Sequence, residues 1–266
     1  QSKYTMVPQM QDLGPITKWK KKTALVGLPC HLHALRKLEA WRPALTEHIV
    51  MAVGLACHST LERDATLKLL EVHGIRPEDV ARLEYRGGER WPRGVQVTLK
   101  NGEVHRVRAL DIKASFNYLK CFYSPARCLL CIDYSAELSD LTIADPWIRD
   151  ASGNHPYQDG WSLILTRTAR GQALIEKAGA DGALHVEKID RALLASQFDP
   201  VVRTKKKGAF IRIARRRARG QPVPDYGYEL PASTARERRS EFLASLLRLP
   251  GRWAWSRNLG MRIAFS

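Results

Sequence analysis

The five cysteines fall unevenly along the chain: Cys30 and Cys57 stand alone, while Cys121, Cys128 and Cys131 cluster. Thiolates are soft ligands for iron, zinc and copper, and four of them neutralise much of the charge of a metal centre. In Cys128-Leu129-Leu130-Cys131 two thiols share one turn of chain. That spacing can grip a metal or a cluster, and it also suits a redox dithiol. Cys30 and Cys57 each close an apolar run, KTALVGLPC at 22–30 and IVMAVGLAC at 49–57, so both thiols are expected at strand ends. Cys30, Cys57, Cys128 and Cys131 therefore form the candidate four-thiolate set, with Cys121 as a leftover structural thiol. Three other readings stay open at this point: inert core cysteines, a catalytic dithiol, and a mixed Cys/His zinc site. His31, His33 and His58 flank the ligand candidates and otherwise read as surface or helix-start side chains.

The elements that must position these residues follow from periodicity. The run at 22–30 reads as a short buried strand broken at Gly27 and Pro29, followed by a helix over 31–41. The run at 49–57 repeats the arrangement, and Ser59 with Glu62 has the spacing of a capping box, predicting a helix from Leu61 to about His73 with a stop at Gly74. Two strand–cysteine–helix units in succession predict an α/β layer whose strand ends gather the ligands. Residues 80–86 read as a strand, and GVQVTLK at 94–100 meets Asn101-Gly102 before EVHRVRA returns, the signature of an antiparallel hairpin. A helix or irregular segment is expected around 111–120, a strand over 161–168, a helix over 171–182, a strand in ALHVEKI, and a short helix from Asp190. The expected fold class is thus α/β, a mixed sheet with an antiparallel hairpin insertion and a basic C-terminal helical tail. The expected division is 1–205 for the main domain and 206–266 for a basic linker and docking tail.

The formal charge is +16, and RTKKKGAFIRIARRRAR at 203–219 holds nine basic residues and no acidic one. Such a balance favours an acidic partner subunit, an anionic cofactor or nucleic acid. The nucleic-acid reading is disfavoured, because the run has few aromatics and leaves the two cysteine signatures unexplained. QPVPDYGYELP at 221–231 reads as an extended connector, and Thr234 with Glu237 predicts a capped final helix carrying Phe242, Leu243, Leu246 and Leu247. No apolar stretch is long enough for an integral membrane segment. The start has no secretory-signal pattern. An odd cysteine total argues against a fully paired extracellular framework. A cytoplasmic protein is expected, peripheral to a membrane only through its partners or its tail.

Several segments, in order, resemble the coenzyme F420 hydrogenase/dehydrogenase beta-subunit family, C-terminal domain. They are SKY at 2–4, VGLPCHLHALRKL at 26–38, VGLACHS at 53–59, CLLCIDYSAELSDLTIAD at 128–145 and DGWSLILTRTARGQALIEKA at 159–178, with the lysine group 205–207 beyond them. The resemblance spans about residues 2–207 and departs from the family at Ala144-Asp145-Pro146, where a Gly-Asp pair is usual. The family commonly carries a further segment before the Ser-Lys-Tyr match, expected here to be absent, removed or supplied by another subunit.

The resemblance implies an iron–sulfur flavoprotein oxidoreductase. Cys30, Cys57, Cys128 and Cys131 would ligate a [4Fe-4S] cluster, with FAD beside it and coenzyme F420 as hydride-exchanging substrate. Related members instead suggest ferredoxin-linked reduction of a tetrapyrrole, or an electron-relay subunit of a larger complex. Ser2, Lys3, Lys205 and Lys206 are the candidate donors to cofactor phosphates and otherwise read as solvated or partner-facing groups, and Trp161 and Ser162 are candidates to pack near the flavin, with Trp161 reading equally as core. Asp133, Asp140 and Asp145 are expected to cap turns, bond cofactor or orient basic groups rather than bind metal. No acid–base or nucleophilic triad is expected, since the cofactors carry the chemistry. The expected partner is a redox subunit or ferredoxin within a hetero-oligomer.

Overall fold

The computed structural model describes residues 21–88, 94–107, 122–157, 160–228, 232–253 and 255–257. Ser2, Lys3, Cys121 and the segment expected to be helical around 111–120 lie outside the described residues. In chain order the strands are β1 Thr23–Gly27, β2 Ile49–Leu55, β3 Val80–Gly87, β4 Gly94–Leu99, β5 Val104–Val107, β6 Leu141–Ala144 and β7 Leu163–Thr166. The helices are α1 Pro29–Trp41, α2 Arg63–Val72, α3 Ala126–Leu129, α4 Ala169–Ala180, α5 Arg191–Arg217 and α6 Ala235–Leu247. The chain divides into two compact units, one built from Met6–His58 with Cys131–Lys207, the other chiefly from Ser59–Leu130 with Gly208–Ser266.

The first unit holds a mixed sheet in the order β1-β2-β6-β7. β1 pairs parallel with β2 from Thr23↔Ile49 to Gly27↔Gly54, and β2 pairs parallel with β6 from Val53↔Leu141 to Leu55↔Ile143. β7 closes the edge antiparallel, from Leu141↔Thr166 to Ala144↔Leu163. Parallel neighbours need a crossover, and α1 supplies it between β1 and β2. Its inward face carries Leu32 and Leu35, both fully buried against Leu25, Ala52 and Ala136. Each such leucine contributes about 1.5–3 kcal/mol of burial. The helix begins two residues before the expected start because Pro29 occupies its first turn, where a missing N–H costs nothing. Cys30 therefore lies inside that first turn.

Asp140, fully buried at the entrance to β6, ties this unit together. Its N–H donates to Ala52 O at 2.8 Å, and Ala52 N–H donates to its Oδ2 at 2.8 Å. Its Oδ1 accepts from Thr168 Oγ1 and Arg170 Nη2, each at 2.8 Å. Its carbonyl takes the N–H groups of Arg167 and Thr168. A Cβ on Gly171 would stand 2.2 Å from that carbonyl oxygen, so only glycine lets α4 approach this closely.

Two expectations need correction. ALHVEKI forms no strand: Gly182, at φ 71°, ends α4. The N–H groups of Gly182 and Ala183 return to the Gly179 and Ala178 carbonyls, a Schellman stop. Leu184 and Val186 stay exposed. Ser59 also does not cap α2. Its hydroxyl pairs with Ser124 Oγ at 2.7 Å and donates to Thr60 O, and Glu62 takes the N-cap position.

The second unit contains the antiparallel sheet β3-β4-β5, whose β4–β5 turn falls at the expected Asn101-Gly102. α2 packs Ala65, Leu69 and Leu70 with Val95 and Val97 into its core. The basic run 203–219 is helical as far as Arg217. Asp190 opens the helix as expected, accepting Ala192 N–H on its side chain, but α5 continues for 27 residues to Arg217. Ala209, Ile211 and Ile213 on its last part are buried. α6 is capped as expected, Thr234 and Glu237 exchanging both capping-box bonds. No helix among the described residues is long and apolar enough to cross a membrane.

Candidate functional site: the cysteine segments

Each cysteine of the candidate set sits where a regular element ends or begins. Cys30 is exposed in the first turn of α1, Cys57 is half-buried two residues beyond β2, and Cys128 and Cys131 are half-buried, one within α3 and one just after it. None of the four is in a disulfide. Cys57 N–H donates to Tyr134 O at 2.8 Å, and its own carbonyl accepts from Lys205 Nζ at 2.6 Å. Cys131 Sγ donates to Asp133 O at 3.4 Å.

The loop from Cys131 to β6 is held down on β2 by close packing. Ala136 is fully buried at φ 54°, a left-handed conformation that costs a non-glycine residue about 1–2 kcal/mol. It is tolerated because Gly54 lies beneath it, where a Cβ would stand 2.4 Å from the Ala136 Cβ. Ser139 N–H and hydroxyl both return to Ala136 O, and Thr142 donates to Ser135 O at 2.7 Å. Arg167 Nη2 reaches the same Ser135 carbonyl at 2.8 Å.

Around the cysteines stand polar groups that bear on their chemistry. Asp133, 1 % exposed, takes His33 Nε2 at 3.1 Å and Glu137 N–H at 2.9 Å on Oδ2, while its buried Oδ1 has no hydrogen-bond partner among the described residues. Burial, and then the charges of Asp145 and Cys57, push the Tyr134 hydroxyl above its usual range. His58 and Phe198 both meet the Tyr134 ring edge-on. His31 spends its Nδ1 on Leu28 N–H at the start of α1, the helix-start role expected of it.

The remaining sequence candidates make the following contacts. Trp161 is exposed and meets Tyr157 and His185 edge-on at 5.7 and 5.8 Å, with Ser162 exposed beside it. Lys206 pairs with Glu137 at 2.7 Å. Lys205 is buried on Cys57 O. Sequence reasoning missed Arg212 and Tyr226. Arg212 Nε donates to Leu129 O at 2.5 Å, and Tyr226 Oη to Leu130 O at 3.0 Å, the two carbonyls between Cys128 and Cys131. Arg212 is fixed by Glu241 at 2.6 Å, which also takes Arg248 at 2.8 Å. Burial pushes the Glu241 carboxyl up, but the two guanidinium groups outweigh it and hold it low. A basic run within 203–219 was the available signal, yet basic residues alone do not reveal which turn inward.

Among the described residues, no three His, Cys, Asp or Glu side chains form a group that could hold a metal ion. What fits a thiolate-held centre is the donor set: four unbridged cysteines at element ends, two of them three residues apart. A chain of three residues spans at most about 10 Å, so Cys128 and Cys131 are covalently kept near one another.

Residues 20–192 match the family described as the C terminus of the coenzyme F420 hydrogenase/dehydrogenase beta subunit, and the chain belongs to that family. Among its relatives it is 30% identical over 231 residues to the coenzyme F420 hydrogenase subunit beta of Methanococcus voltae, covering 84% of this chain and 74% of that one. It is 28% identical over 173 residues to a subunit of the F(420)H(2) dehydrogenase of Methanosarcina mazei, covering 64% of this chain but only 43% of the relative. The fold also matches a chain in the F420-reducing [NiFe] hydrogenase complex from Methanosarcina barkeri, with TM-score 0.60 at 20% identity, over 85% of this chain and 74% of that one. All four candidate cysteines fall inside the family match.

Proposed function

We propose that the chain is an iron–sulfur flavoprotein subunit of an F420-linked redox complex, with Cys30, Cys57, Cys128 and Cys131 ligating a [4Fe-4S] cluster. The observation that carries this reading is the family match over 20–192, which contains all four cysteines, none of them bridged. When bound, FAD and cluster would supply conversion of one hydride from reduced F420 into two single electrons for a redox partner and one proton released to solvent.

The chain's own residues do the rest. α1 and β2 present Cys30 and Cys57, and the loop packed over Gly54 places Cys131 and Asp133. Ser2, Lys3, Trp161, Ser162 and Lys206 stand as candidate flavin contacts. Lys205 stands with them as a candidate, and its ammonium also donates to Cys57 O. The formal charge of +16 suits an acidic redox subunit or ferredoxin as partner in a hetero-oligomer. A reducing, cytoplasmic setting goes with this reading, since cluster ligation needs the cysteines as thiolates rather than disulfides. The same helix weakens a nucleic-acid role: Lys205 is buried and Arg212 is mostly buried, and both bond internal partners rather than forming a continuous phosphate-tracking face.

The test is anaerobic reconstitution with iron and sulfide, followed by metal analysis. Wild type should hold about four irons per chain, as a [4Fe-4S] cluster requires. Single Cys→Ser changes at 30, 57, 128 or 131 should each cut that content, and Cys121→Ser should not. Iron uptake indifferent to all four cysteines would refute the assignment.

A further inference from the structure

Lys205 is 9 % exposed, and its ammonium donates to Cys57 O. Among the described residues it has no carboxylate partner. A buried cation without a counter-charge is costly, and its presence calls for an anion at the same place. Nothing comparable holds for Arg212, whose charge Glu241 already balances. Arg212 and Tyr226 instead use directed hydrogen bonds, one on each carbonyl between Cys128 and Cys131. Phe210 packs edge-on to Tyr226 at 6.3 Å and to Tyr228 at 5.5 Å, fixing the connector that carries the hydroxyl. All three polar side chains lie beyond residues 20–192, the part that matches the family.

We propose that Lys205, Arg212 and Tyr226 are positioning residues for the cysteine segments, and that Lys205 is the fixed counter-charge of an anionic thiolate-held centre at Cys57. This rests on the cluster reading above. Two roles follow from the two kinds of contact. Reducing a thiolate-ligated cluster adds negative charge, so an uncompensated ammonium beside a ligand favours the reduced form. Locking the Leu129 and Leu130 carbonyls removes freedom from the turn that bears two ligands, which slows ligand loss.

The experiment compares reconstituted wild type with Lys205→Met, Lys205→Arg, Arg212→Gln and Tyr226→Phe, each checked for folding by circular dichroism. Two readouts are used: the reduction potential from an EPR-monitored titration, and the rate of bleaching by an iron chelator. Lys205→Met should move the potential to more negative values, and Lys205→Arg should restore it. Arg212→Gln and Tyr226→Phe should bleach several-fold faster with little change in potential. If Lys205→Met does not fold, Tyr226→Phe still decides, because it removes a single hydroxyl and an unchanged bleaching rate overturns the positioning role. Full iron content with wild-type potential in Lys205→Met overturns the counter-charge. A wild type that takes up no iron overturns the cluster reading beneath it, a distinct outcome.

Discussion

Replacing Asp140 by Asn should destabilise the mixed-sheet unit through one identifiable conflict. The carboxylate takes Ala52 N–H on Oδ2 and Thr168 and Arg170 on Oδ1. An amide can keep one of these sides only. With its oxygen on Thr168 and Arg170, its NH2 faces the Ala52 N–H, and two buried donors are left opposed. An unsatisfied buried donor costs about 1–3 kcal/mol. The lost ion pair adds little, about 0.5 kcal/mol, because Arg170 is half exposed. The sum is about 1.5–3.5 kcal/mol, roughly 3–14 °C in the melting of a unit of this size.

The pH dependence gives a second handle on the same residue. Burial pushes the Asp140 carboxyl up, but the Ala52 N–H, then Arg170 and Thr168, outweigh it and hold the carboxyl low. A depressed folded-state value means that its stabilisation is complete above the unfolded-state pKa of about 3.9 and is lost as pH falls through the folded value. Thermal unfolding followed by circular dichroism at pH 7 and across the acid range is the assay. The gap between wild type and Asp140→Asn should be full at pH 7 and narrow below about pH 4. Equal melting at pH 7 would refute the reasoning.

Glu241→Gln should loosen α6 from α5, since it leaves the half-buried Arg212 and Arg248 without their shared carboxylate; a loss of about 1–3 kcal/mol is expected, read by limited proteolysis after 220. Because the Glu241 carboxyl is held low, the same contact should weaken in wild type as the pH drops through its folded value, so acid should speed that cleavage. Gly54→Ala should cost about 1–3 kcal/mol by driving a methyl into Ala136 and Ser139, measured by urea unfolding, whereas Gly74→Ala should show no steric conflict and only the strain of its φ of 66°. Leu32→Ala should cost about 2–5 kcal/mol, as expected for a side chain with no exposed surface.

The strands that lead into Cys30 and Cys57 were legible because local pattern and tertiary role coincide there. Each apolar run becomes a strand, and Pro29 and the α1 periodicity set the first cysteine in a helix turn. The β4–β5 hairpin was readable for a similar reason, since Asn101-Gly102 fixes both turn and register. Long-range partners defeated the rest. Ser59 has the spacing of a cap but finds Ser124. ALHVEKI has strand composition, but the stop at Gly182 turns its first amides back to α4. The burial of Ala209, Ile211 and Ile213 within the basic run was not legible, because its composition is dominated by charge. Lys205 on Cys57 O joins positions 148 residues apart, and no local pattern announces such a contact.

The proposal that this chain turns F420 hydride into single electrons is tested most directly by one anaerobic titration. Protein reconstituted with iron, sulfide and FAD is titrated with reduced F420 while its visible spectrum is recorded. Both the flavin and the cluster bands should bleach as reduced F420 is consumed. A chain that binds cluster and flavin yet leaves both bands unchanged in excess reduced F420 would contradict it.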